Sequence, residues 1–155
     1  MKNNNPFPAW LGLCSRIAIG AVLIAAGLMK ASSPAEEFSV VIQAYQIVSP
    51  SSALTLATFL PWIEVFLGFC LLLGFQTRAS AAASGALFAG FLCALASTKA
   101  RGIELPNCGC FGAGMHSSIT EALCLDAVLL LCAFFAYQRG SQKPSLDAWA
   151  LGKDR

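Results

Sequence analysis

Four runs of about twenty apolar residues, 9–29, 54–75, 79–97 and 119–137, leave this chain little choice of fold. A helix of that length crosses the hydrocarbon core of a bilayer, and lipid offers backbone N–H and C=O groups no partner outside their own segment. Charged residues make up only 12% of the 155, and mean hydropathy is +0.67. Soluble domains carry about 25% charge. The expected fold is therefore all-α, an integral membrane four-helix bundle. It forms a single transmembrane domain over 1–155 with a polar tail from 139 to 155.

The flanks supply the punctuation. Lys30-Ala-Ser-Ser-Pro34, Ser49-Pro-Ser-Ser52, Gln76-Thr-Arg78 and Arg139-Gly140 read as helix ends and loops. Trp10, Trp62, Tyr45 and Tyr137 fall at or near the span boundaries, as an aromatic belt would, with Trp62 the deepest. Residues 38–48 are apolar and follow Glu36 and Glu37, which predicts a short interfacial helix between the first two spans. The first span is read as a retained helix, not a signal peptide. It is long for a signal sequence, holds Arg16 and lacks an A-x-A site; Leu13 before Cys14 argues against lipoprotein processing.

With an even number of spans both termini share one side. Lys2, Arg78, Arg139, Lys143, Lys153 and Arg155 lie on that side, against Lys30, Lys99 and Arg101 opposite. The excess of positive charge predicts cytoplasmic termini. Net charge is only +2 and no basic block occurs, so no nucleic-acid partner is expected; the bilayer itself is one partner.

Under that topology the loop Cys108-Gly109-Cys110-Phe111-Gly112 faces the exterior, where disulfides persist. Exchange needs a thiolate, a resolving thiol and access, and Cys108 and Cys110 supply the pair. The glycines permit the tight backbone of a C-x-C ring. Lys99, Arg101 and His116 would favour a thiolate if brought close. The catalytic candidates are Cys108 and Cys110. A structural disulfide or a soft-metal site are the other readings of the same pair. No metal ligand set is assigned; His116, the only histidine, reads as a hydrogen-bonder on the outer face.

The chain has seven cysteines. Cys93 and Cys124 fall at one depth beneath the loop and form a candidate relay pair, while Cys14, Cys70 and Cys132 read as packing residues. Arg16, Glu64 and Asp126 stand inside apolar runs, and an ionisable group there marks a functional candidate. The expected pairings are Arg16 with Glu64 across two helices, and Lys30, at the outer end of the first span, reaching toward Asp126. Pro61, one turn before Glu64, would open the helix locally.

The ordered set Arg16, Ala26-Gly27-Leu28-Met29-Lys30, Tyr45, Pro61-Trp-Ile-Glu64, Gly68, Leu72-Leu73-Gly74, Arg101-Gly102 and Cys108-Gly-Cys-Phe-Gly112 resembles the MauE (methylamine utilisation) branch of the DoxX-like membrane proteins. The likeness covers most of the chain. It implies a four-helix protein of the bacterial inner membrane that works beside a periplasmic thioredoxin-like protein. Its implied role is maturation of a disulfide-rich client, the small subunit of methylamine dehydrogenase in the name-giving case. The reading of the residues is a thiol–disulfide redox protein, a possible oxidoreductase with a quinone as its candidate cofactor. The alternatives are a copper, mercury or zinc binding or transport protein, and a non-catalytic assembly factor.

Overall fold

The computed structural model describes residues 9–103 and 118–139, and among these it is entirely helical. In chain order the helices are α1 (Ala9–Ala31), α2 (Ala35–Ala44), α3 (Pro50–Leu73), α4 (Thr77–Ala100) and α5 (Ile119–Arg139). All but α2 are long and apolar enough to cross a bilayer. The chain is a multi-pass membrane protein, and the four expected spans are its four long helices.

Helix ends explain where the spans run past their expected limits. Ser49-Pro50, read as loop, opens α3 instead: Ser49 Oγ accepts from the Ser52 N–H at 3.4 Å, and Pro50 takes the first turn, where no N–H is needed. At its other end Gly74 turns left-handed (φ 71°), and Phe75 and Gly74 N–H groups close onto the carbonyls of Cys70 and Leu71 at 2.9 and 3.2 Å. Gln76, also left-handed (φ 43°), leads straight into α4. The same stop ends α4: Gly102 has φ 68°, and Ile103 N–H reaches the Thr98 carbonyl at 3.1 Å. α5 begins with a reciprocal cap, Ser118 N–H to Glu121 Oε2 at 3.0 Å and Glu121 N–H to Ser118 Oγ at 3.2 Å. The short helix expected over 38–48 spans Ala35–Ala44, begun after Pro34 and closed at Tyr45.

α1 packs mainly on α3 and also on α5, while α4 packs on α5; α2 lies against α3. Contact between α3 and α4 is thin. The α1–α3 seam is the closest. A Cβ on Gly27 would stand 2.7 Å from the Pro61 carbonyl oxygen, and one on Gly68 would stand 2.8 Å from that of Gly20. Only glycine lets two helix backbones approach so nearly, and lipid-embedded helices associate through such contacts. These pairs also fix the antiparallel register, Gly20 beside Gly68 and Gly27 beside Pro61.

Burial is inverted relative to a soluble protein. Phe59, Trp62, Phe66, Phe69, Leu131 and Phe134 point outward, while Ser15, Arg16, Lys30, Glu64, Thr77, Ser80, Ser84 and Asp126 are buried. An apolar solvent rewards this arrangement, since polar groups find partners only inside the bundle. Trp62 is thus an outward residue twelve positions into α3, not a boundary residue, and Tyr45 is buried at the end of α2.

Candidate functional site

The polar centre of the bundle is assembled from three helices, α1 and the two that run antiparallel to it, α3 and α5. Helical Cα–Cβ bonds tilt toward the N-terminus. Lys30, in the last turn of α1, therefore leans back into the bundle, while Glu64 on the antiparallel α3 leans toward it. Lys30 Nζ donates to Glu64 Oε1 at 2.6 Å and to Oε2 at 2.8 Å. The side chains are 1% and 2% exposed. A pair so enclosed needs close geometry to offset desolvation, and both carboxylate oxygens are engaged here.

The ammonium is also flanked by rings. Lys30 Nζ lies 5.5 Å from the centroid of Phe38 on α2 and 5.3 Å from that of Phe91 on α4. Both lie within the range of cation–π attraction, worth about 2 kcal/mol or more when desolvated. Lys30, Glu64 and Asp126 of α5 line one small cavity of about 20 Å3. That volume suits a single water, which needs roughly 10–15 Å3.

Two expected pairings are corrected. Glu64 binds Lys30, not Arg16. In the observed register Arg16 lies beyond Gly20, and its side chain tilts toward the start of α1, away from Glu64. Arg16 is buried with its own interactions elsewhere. Lys30, in the last turn of α1, is buried, and among the described residues its hydrogen bonds go to Glu64, not to Asp126, with which it shares a cavity.

The cysteines divide differently from expectation. Cys70 is buried and Cys132 half-buried, but Cys14 is exposed and does not pack in the core. Cys93 and Cys124 are both exposed, turned outward from the bundle. Cys124 stands between buried Ala122 and Asp126, so its side chain leaves the opposite side of α5. Cys108, Cys110 and His116 lie outside the described residues. The stretch that carries them joins the end of α4 to the start of α5, on the side of the bundle where α1 ends and α2 lies.

Its first residues are tied down. Arg101 Nη2 donates to the Tyr45 carbonyl at 2.5 Å and Nη1 to that of Gln46 at 3.4 Å, while Nε reaches the Ser97 carbonyl at 3.2 Å. Arg101 thus stitches the end of α4 to the end of α2. Gln46 itself is left-handed (φ 54°), which turns its carbonyl out of the helix ladder.

A second cavity, about 290 Å3 and almost wholly apolar, lies between α2, α3 and α4 where α3–α4 contact is thin. Phe38 and Phe91 belong to its wall, so the rings that flank Lys30 also face this space. Sequence reasoning found Glu64, Asp126 and Lys30 but missed the two phenylalanines. The spacing of Gly20 and Gly27 on α1 against Gly68 on α3 would have given the register and, with it, the Lys30–Glu64 pair.

Several of the residues on which the likeness rested meet one another. Gly27 touches Pro61, Lys30 holds Glu64, and Arg101 holds Tyr45. A family model described as Methylamine utilisation protein MauE matches residues 8–138, most of the chain. No curated protein and no solved structure matches it significantly.

Proposed function

The chain belongs to the MauE family, and from that premise we propose that it is a thiol–disulfide redox protein of the bacterial inner membrane that supports disulfide formation in exported proteins. Cys108 and Cys110 are its exchanging pair. They exchange with a periplasmic thioredoxin-like protein or directly with a client, and the family's link to methylamine utilisation offers the small subunit of methylamine dehydrogenase as that client. The excess of Lys and Arg on the terminus side supports an exterior position for the Cys108/Cys110 stretch.

One observation carries the reading. The dithiol stretch is hung between two firmly closed helix ends, the Gly102 stop of α4 and the Ser118–Glu121 cap of α5, with Arg101 fastening the first to α2. A partner that exchanges with Cys108 and Cys110 through a mixed disulfide would meet a fixed helix end on either side of them. A soft-metal carrier would need thiolates in line at several depths, and Cys14, Cys93 and Cys124 turn outward instead.

The test is trapping. Cys108→Ser and Cys110→Ser variants expressed in cells should differ, one accumulating a mixed disulfide with a partner of thioredoxin fold or with a client. Absence of any adduct, together with wild-type thiols that never change redox state, refutes the proposal.

A further inference from the structure

We propose that the 290 Å3 cavity between α2, α3 and α4 is the seat of a prenylquinone, whose ring lies against Phe38 and Phe91 and whose chain leaves through the α3–α4 seam into lipid. The cavity is of the size at which ligand sites begin, about 300 Å3. Its depth has a plain cause in sequence: Ala86, Gly90 and Ala94 recur every four residues on α4 and leave empty room opposite Leu60 of α3. A Cβ on Gly90 would meet nothing within 4 Å.

Position restricts the occupant. Ala86 to Ala94 lie about 9–21 Å from the end of α4 by helical rise, so the space opens within the spanning part of the bundle. Whatever enters must come from the lipid phase. A bare acyl chain satisfies the apolar wall alone. A quinone also suits the aromatic side of the wall, where Phe91, beside the largely covered Phe38, offers a ring for offset stacking.

The choice of a quinone rests on the thiol–disulfide reading, which requires an electron acceptor. The Cys108 and Cys110 thiols lose two protons and two electrons as their S–S bond forms. The quinone takes both, its two carbonyls becoming hydroxyls of the quinol. Protons and electrons balance without a further reactant.

The test uses the full chain in detergent micelles with tritiated decylubiquinone as probe. Saturable binding is expected, displaced by unlabelled decylubiquinone and not by 1-decanol, which carries the chain without the ring. Gly90→Leu fills the cavity from α4 and should weaken binding by about tenfold or more while the melting temperature holds; Gly90→Ala should bind nearly as wild type. Ala86→Leu serves the same purpose if Gly90→Leu fails to fold. Non-saturable binding, equal displacement by decanol, or wild-type affinity in the folded filled variants overturns the site.

The two readings fail separately. The Cys108→Ser/Cys110→Ser protein should still bind decylubiquinone but no longer reduce it. If reduced wild-type protein binds the probe and leaves it oxidised, the quinone's role as electron acceptor falls, while the dithiol reading stands or falls by trapping alone. If partners are trapped through Cys108 or Cys110 and no saturable binding is found, only the quinone site falls.

Discussion

Lys30, at the end of α1, holds both carboxylate oxygens of Glu64 in the middle of α3, and the two close on each other because antiparallel helices tilt their side chains together. Removing one partner strands a charge in a bundle surrounded by lipid. Lys30→Met or Glu64→Leu alone should cost about 3–5 kcal/mol. The double variant Lys30→Met/Glu64→Leu should recover most of that loss, since an apolar pair of similar size leaves no charge to solvate. Thermal unfolding in detergent of the four proteins measures the coupling; strictly additive losses would contradict it.

The α1–α3 seam makes a second prediction. Gly27→Val would force side-chain carbons into the Pro61 carbonyl, already 2.7 Å from a bare Cβ. The helices must part, and overpacking of this kind costs about 1–3 kcal/mol, with more where backbone must move. Gly85→Ala, whose nearest neighbour would be 3.6 Å away, should leave stability almost unchanged. Melting temperatures of the two variants, compared side by side, decide the matter.

Arg101 ties α4 to α2 and so sets where the dithiol stretch begins. Arg101→Ala should loosen that post, at a stability cost of about 0.5–1.5 kcal/mol per hydrogen bond lost. Alkylation of reduced Cys108 and Cys110 should quicken in the same variant. Arg101→Lys, which lacks the fork that spans two carbonyls, should restore little. An unchanged alkylation rate in Arg101→Ala would show that the stretch is positioned by other contacts.

Sidedness has its own experiment. A membrane-impermeant maleimide applied to intact spheroplasts should label Cys108 and Cys110 after mild reduction and spare them before it. Labelling only after the cells are opened would reverse the orientation inferred from the Lys and Arg distribution.

The spans, the resemblance and the identity of the buried charges were legible in the sequence because each rests on a local property: apolar run length, motif order, or a charge where lipid tolerates none. What sequence could not supply was mutual position. Arg16 and Lys30 are both cations on α1 able in principle to answer Glu64, and only the register set by Gly20, Gly27 and Gly68 selects Lys30. Ser49-Pro50 was ambiguous for a related reason, since the residues that end one helix also start the next. Phe38 and Phe91 looked like ordinary apolar residues until the folding of α2 over the bundle brought both beside one ammonium.

The turn between α3 and α4 is short and locked by two left-handed residues, Gly74 and Gln76, whereas beyond it a cavity opens between the two helices and their contact is thin. Two helices pinned at one end and loosely joined beyond it part most easily like the legs of a compass. Lateral exchange of a lipid-soluble molecule would then cost a few side-chain rearrangements and no broken backbone hydrogen bonds, so that traffic with the bilayer and rigidity of the charged centre can coexist in a chain this short.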